Sequence, residues 1–390
     1  MKSLTPELKK HGAKTASLNP AIVGLIAANI AFVLELTLVP LLLPEIQTEF
    51  GLSIEQLSWV FNSYGVSVAV GVIFGGLSGD SLNTQKVFCC GVFAFAAGAF
   101  TVAFANSYEM LILGRVLQGV GGGIFLPLVP LLITRISPHR PGRALILWGS
   151  IAGYIAAFAP FVYANAFRQY GWEVAIILNA SVAVIALAVT VVAPDAEETT
   201  PTPGAEKDYS AFLHAHHLWL TYGYIFCTYG SITFFLFFLP VWLTDGNVSA
   251  ARIGSLLSSL WLTYSVVSAL LRGFVDGPQI KPIMLVAPFL IAAGIPVLLF
   301  DTGVAGQILA SILVGAGLAC SNSPSTQLVI KFAPKGMSAV ATSMDITFAR
   351  LGGIVTVAIL AESATSQAAT LIGALCFISA CCTLVVGRKL

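Results

Sequence analysis

Twelve stretches of apolar residues, the first at 21–43 and the last at 366–386, recur along the chain and dictate the solvent in which it can fold. Each is about 18 to 25 residues long, enough at roughly 1.5 Å of helical rise per residue to cross a hydrocarbon core about 30 Å thick. Composition points the same way: 57% of residues are hydrophobic, 9% are charged and the mean hydropathy is +0.89, whereas a soluble globule carries about a quarter charged residues. A transmembrane barrel would alternate apolar and polar residues, and these stretches do not. The sequence therefore predicts an all-α integral membrane protein with twelve transmembrane helices, its surroundings the lipid bilayer. A formal charge of +1 offers no excess of basic surface for a nucleic acid.

The basic residues set the orientation. With a cytoplasmic N-terminus, fifteen of the nineteen Lys and Arg residues fall at one membrane face and only Arg168 and Arg252 at the other. The positive-inside rule then predicts a multi-pass protein of the cell membrane with both termini cytoplasmic. The first 19 residues are polar without a cleavage-type flank, so the first helix is expected to remain as an anchor. The segment PDAEETTPTPGAEKD, 194–208, has the Pro, Thr and acidic content of a solvated linker and divides six stretches from six. The predicted organisation is a cytoplasmic segment 1–20, a six-helix bundle 21–193, a cytoplasmic linker 194–214 and a second six-helix bundle 215–390. The halves echo each other, since Gly119 and Gly121 precede Pro127 much as Gly315 and Gly317 precede Pro324. A repeat of that kind places a substrate site between the halves.

Four charges interrupt the apolar stretches: Glu35, Arg115, Asp345 and Arg350. An Arg or Asp at a helix centre costs about 2.5 to 3.5 kcal/mol on insertion scales, so each is a candidate functional residue. Helical rise places Glu35 roughly 12 Å and Arg115 roughly 9 Å below the outer face, so the two share a level and can pair if their helices are neighbours. Gln118, one turn from Arg115, adds an amide to the same face, and Gly119, Gly121 and Gly123 allow close approach of another helix. The competing role for Arg115 is purely structural, capping carbonyls of the first helix near Pro40 and Pro44. A carboxyl group that burial and a guanidinium pull in opposite directions can act as a proton switch. Asp345 and Arg350, five residues apart, point in different directions; they are candidates for the second wall of a substrate cavity, Asp345 alternatively lying at the interface. In the aromatic seventh stretch Tyr222, Phe226 and Tyr229 share a face and could stack on a planar substrate.

Enzymatic chemistry finds no support. Walker, GxSxG and HExxH patterns are absent, and the seven cysteines show no ligand-like spacing. His214, His216 and His217 lack acidic or thiol partners nearby in the sequence. The expectation is a monomer without a cofactor or metal, acting on a small-molecule substrate and protons.

LGRVLQGVGGG at 113–123 resembles the fourth-helix motif of the major facilitator superfamily, RxxQGxG. ELTLVPLLLPEI at 35–46 resembles the first-helix motif of the superfamily's drug:proton antiporters, in which an aspartate stands where this chain has Glu35 and which usually have fourteen helices. SWVFNSYGVSVAVGVIFGGLSGD at 58–80, YGWEVAIILN at 170–179 and MDITFARLGGIVTVAI at 344–359 are similar to their second, sixth and late helices. The resemblance spans nearly the whole chain and implies the major facilitator fold, two six-helix bundles with alternating access. The loop GGLSGDSLNTQK keeps Gly76 and Asp80 of the superfamily's GxLaDrxGrr but few of its basic positions, which implies a weaker gating latch. APFVYA at 159–164 keeps Pro160 alone of the GPxxGG that ends the fifth-helix antiporter motif, which leaves direction open. The expected function is proton-coupled efflux of a small amphipathic or drug-like molecule. The alternatives are transport of an anionic metabolite such as a carboxylate siderophore, in either direction, or a non-transporting sensor or passive facilitator.

Overall fold

In a lipid-like setting every backbone polar group must be satisfied within its own segment, which favours long helices over any other way of ordering these stretches. The computed structural model describes residues 20–78, 83–136, 141–193, 209–271, 274, 279–299, 303–335, 337–363 and 365–386, and among them there are helices and turns but no strand. The first part of the chain forms α1 (Pro20–Phe50), α2 (Ile54–Ser78), α3 (Thr84–Ala103), α4 (Tyr108–Phe125), α5 (Leu128–Ile136), α6 (Pro141–Val162) and α7 (Trp172–Val192). The remainder forms α8 (Tyr209–Leu213), α9 (His216–Asp245), α10 (Ala250–Leu271), α11 (Ile280–Leu299), α12 (Gly303–Phe332), α13 (Ser338–Leu360) and α14 (Thr365–Val386). Among the described residues, eleven helical segments are long and apolar enough to cross a membrane, the one at Tyr108–Ile133 joining α4 to α5; α6 is a further helix of 22 residues. Large apolar side chains face outward along them, among them Val192 at 85% and Phe377 at 71% exposure. Such an exterior suits hydrocarbon and not water.

Local chemistry sets the helix starts. Ser53 and Gln56 form a reciprocal capping box before α2, with Gln56 N donating to Ser53 Oγ at 3.1 Å and Ser53 N donating to Gln56 Oε1 at 3.0 Å. Ser107 and Asn83 cap α4 and α3 through single side-chain oxygens.

Three predicted segments differ in detail. The stretch 109–134 is broken at Leu126–Pro127 into α4 and α5, because proline cannot supply the N–H that would continue the ladder. The stretch 144–166 is helical to its end but not as one α-helix: α6 gives way to a π-helical turn at Tyr163–Phe167 and a 3-10 turn at Arg168–Tyr170, and the chain turns at Gly171, whose φ of 90° suits glycine. At the end of the predicted solvated linker a short helix, α8, forms, with Phe212 buried edge-on against Trp219.

Helix α4 lies against α2 and α3, and α12 lies against α10 and α11. Glycines make both approaches possible. A Cβ on Gly119 would meet the Tyr64 carbonyl of α2, and one on Gly121 would meet the Phe95 amide of α3. Gly315 sits in the same way on the Leu260 carbonyl of α10, and Gly317 on Ile291 of α11. The glycine pairs that echo in the sequence thus occupy equivalent seats. Contacts also run between the two parts of the chain, α2 against α13 and α6 against α10. There Asn62 Nδ2 donates to the Ile354 carbonyl at 3.4 Å, and Phe161 N donates to Ser258 Oγ at 3.0 Å. Gly121→Ala is expected to destabilise the protein by about 1 to 3 kcal/mol, the usual scale for overpacking. Gly373→Ala, where a Cβ meets nothing within 4 Å, should change little; thermal unfolding of both variants in detergent micelles makes the comparison.

Candidate functional site

Glu35 presents its carboxylate from the middle of α1 towards α4 and α7. Arg115 Nη1 donates to Oε1, while Gln118 Nε2 and Asn179 Nδ2, the latter at 3.2 Å, donate to Oε2. Arg115 donates further to Gln118 Oε1 at 2.9 Å and, through Nε, to the Val60 carbonyl of α2 at 3.0 Å. Its guanidinium carbon stands 4.5 Å from the centre of the Tyr64 ring. Glu35 and Arg115 are each 2% exposed, and Gln118 and Asn179 are more deeply buried still.

The local sequence explains the convergence. Arg115 and Gln118 are three residues apart and share a face of α4. Gly114 and Gly98 bring α3 against one flank of that face and Gly119 brings α2 against the other, which leaves the face turned towards α1. Asn179 enters from α7, which packs along α1. It lies seven residues after Trp172, roughly 10 Å along the helix axis and therefore near the level of Glu35. The result is an ion pair in which both carboxylate oxygens and three directions of the guanidinium are engaged. That degree of satisfaction is what makes a buried pair tolerable, and removing one partner from such a pair typically costs 3 to 5 kcal/mol.

A cavity of about 40 Å³ adjoins the pair. It is lined by Glu35, Asn62, Tyr64, Arg115, Thr233 and Arg350, with further apolar side chains. These residues come from α1, α2, α4, α9 and α13, so the cavity lies where the two parts of the chain meet. Tyr64 is 5% exposed and its hydroxyl has no hydrogen-bond partner among the described residues. A second, larger cleft of about 470 Å³ lies towards the Phe50 end of α1, lined by Glu45, Glu49, Arg168, Trp172, Glu173 and Thr244 among others. There Arg168 Nε meets Glu45 Oε1 at 2.6 Å and Trp172 Nε1 donates to Glu49 Oε2 at 2.6 Å.

The residues singled out from sequence distribute unevenly around this geometry. Glu35, Arg115 and Gln118 are brought into one network, and Arg350 reaches the same cavity from α13. Arg115 caps a carbonyl of α2, at Val60, and not of α1 near Pro40. Asp345 is buried at 7% exposure and lies apart from the cavity, accepting from Thr326 Oγ1 at 2.7 Å. Tyr222 is fully buried, stacked on Phe348 with ring centres 4.9 Å apart and donating to the Ala341 carbonyl at 2.9 Å. Phe226 is half-buried and its carbonyl abuts Gly352, whereas Tyr229 donates to Asn322 Oδ1 at 2.6 Å. The three aromatics are therefore held by neighbouring helices, outside the lining of the Glu35 cavity. Gly76 faces Ser343 of α13, Gly123 backs onto Val68 and Gly71 of α2, and the Pro160 carbonyl faces Gly254 of α10. Asp80 lies outside the described residues. Among those described, no group of His, Cys, Asp and Glu is arranged to hold a metal ion.

Sequence reasoning missed Asn179 and Tyr64. Asn179 carried a usable signal, a lone amide in a long apolar stretch at the depth of Glu35. Tyr64 carried none, because one aromatic among many in apolar helices does not announce a ring under a guanidinium.

The family model described as the Major Facilitator Superfamily matches residues 24–357. The tetracenomycin C resistance and export protein of Streptomyces glaucescens is 27% identical over 43% of this chain and 31% of its own length. Multidrug resistance protein 3 of Bacillus subtilis is 27% identical over 45% of this chain and 34% of its own. The matched region thus spans about a third of the length of these relatives. Among solved structures, the crystal structure of a nucleoside transporter superposes with a TM-score of 0.76 at 13% identity, over 94% of this chain and 100% of the other. A D-xylose–proton symporter superposes at 0.71 and 14% identity, over 95% of each chain. With the family model spanning most of the sequence and the fold shared with these structures, the chain belongs to the Major Facilitator Superfamily.

Proposed function

We propose that this protein is a proton-coupled secondary transporter that exports a small amphipathic molecule by alternating access. The observation that carries this reading is the buried Glu35–Arg115 pair, with both amides on the carboxylate, at the edge of a cavity between the two parts of the chain. A carboxylate held in that way can take up a proton only by loosening its bond to the guanidinium or giving up an amide donor. Its protonation is therefore tied to the arrangement of α1, α4 and α7, and hence to which side of the membrane the cavity faces. The equivalent glycine seats of α4 and α12 support a repeat of two six-helix bundles, 21–193 and 215–390, with α6 completing twelve spans. The positive-inside count supports insertion in the cell membrane with both termini cytoplasmic. The names of the Streptomyces and Bacillus relatives favour export.

The test is transport by the purified protein in proteoliposomes, using a panel of radiolabelled amphipathic molecules and an imposed pH gradient. At least one compound is expected to accumulate on the acidic side against its own gradient and to redistribute when an ionophore collapses the pH difference. Equilibration without accumulation for every transported compound would identify a passive facilitator.

A further inference from the structure

We infer that Arg350 and the Tyr64 hydroxyl form a binding site for an anionic group on the substrate, a carboxylate or a group of like charge and size. The inference rests on the transport reading above and names the class of molecule carried.

Charge comes first. Of the side chains lining the 40 Å³ cavity, Glu35 is negative while Arg115 and Arg350 are positive. Glu35 and Arg115 neutralise each other. Arg350 has no carboxylate within ion-pair distance among the described residues, and Asp345, on the same helix, is turned to Thr326 instead. Its guanidinium carbon stands 5.9 Å from the centre of the Phe32 ring. The cavity therefore holds one uncompensated positive charge. A cation removed from bulk water costs free energy unless an anion meets it, and intramembrane cations are accordingly paired or used.

The second observation is independent of charge. The Tyr64 hydroxyl is buried, lines the same cavity and donates to nothing among the described residues. An unmade hydrogen bond at a buried hydroxyl is costly, and the donor completes what a carboxylate needs beside a guanidinium. Asn62 lines the same cavity, its Nδ2 committed to the Ile354 carbonyl at 3.4 Å, whereas Tyr64 supplies a free donor.

Size agrees as well. About 40 Å³ exceeds the roughly 10 to 15 Å³ that one water needs and suits a small head group with its water, but not the apolar body of a drug-like molecule. The body would enter only as α2 and α13 part, which is the movement alternating access requires. A cationic head group would meet Arg350 with no carboxylate free to receive it.

The experiment measures binding, not transport, so its outcome is separate from that of proton coupling. The protein in lipid nanodiscs is titrated calorimetrically at pH 7.5 with 2-naphthoate, 2-naphthamide and 2-naphthylmethylammonium, one shape in three charge states, and with the corresponding benzene and pyrene series. The carboxylate of at least one series is expected to bind tenfold or more tightly than its amide and amine. Arg350→Gln should erase that preference, Arg350→Lys should restore part of it, and Tyr64→Phe should weaken it severalfold. A preference for the amine, equal affinity across the three charge states, no carboxylate binding at millimolar concentration in any series, or a preference unchanged in Arg350→Gln would each overturn the proposal. Matching thermal unfolding of the Lys and Gln variants excludes misfolding as the cause of a loss.

Discussion

Arg115→Met is expected to lower the stability of the protein by about 3 to 5 kcal/mol, the scale for removing one partner of a buried ion pair. The methionine fills much of the volume but leaves Glu35 with only the two amides, and the Val60 carbonyl and the face of the Tyr64 ring lose their cation. The double variant Glu35→Gln with Arg115→Met removes both charges and should recover most of the loss, because a neutral pair of similar shape carries no uncompensated charge. Thermal unfolding of the two single variants and the double variant in micelles forms a double-mutant cycle. If the double variant is as unstable as the sum of the singles, the two side chains act independently and the contact between them is not what stabilises the centre of the bundle.

Glu35→Gln is expected to abolish accumulation driven by a pH gradient, leaving the level set by equilibration, while exchange of substrate across the membrane continues. Glutamine keeps an oxygen for Arg115 and an overall shape close to that of glutamate, so the helices can still move. It cannot bind and release a proton near neutral pH. The same substitution frees Arg115 from its counter-charge, so a moderate loss of stability accompanies the loss of coupling without accounting for it. Glu35→Asp retains the acid and should retain accumulation at a lower rate, since the shorter side chain reaches Gln118 and Asn179 less well. A Glu35→Gln protein that accumulated substrate as wild type does would place the coupling proton on another group.

Much of this architecture is legible in the sequence because lipid imposes a simple rule. An apolar run of sufficient length has few alternatives to a helix, and helical rise converts residue number into depth. That arithmetic puts Glu35 and Arg115 at one level, and the structure shows their side chains in contact. The same arithmetic, applied to Asn179, would have found the third helix of the site; what hid it is that an amide costs far less to bury than a charge and so attracts less notice. Hydropathy is blind to breaks within an apolar run, and for that reason the division at Leu126–Pro127 and the π-helical turn after Val162 were not anticipated. Helical spacing also fails to say which face of an aromatic helix meets a cavity. Tyr222 and Tyr229 share a face by number, yet one is clamped by Phe348 and the Ala341 carbonyl and the other by Asn322. Those partners come from α12 and α13, more than ninety residues away in the chain, and only the assembled fold brings them together.

The central claim is that a proton crosses the membrane with each turnover by way of Glu35, and proton movement itself tests it most directly. Wild-type protein and Glu35→Gln are reconstituted in vesicles loaded with a pH-reporting dye, and substrate is added without an imposed pH gradient. The account requires a pH change inside the wild-type vesicles that scales with substrate moved and is absent with Glu35→Gln. Substrate movement without a pH change in wild type, or an equal pH change with Glu35→Gln, would contradict it.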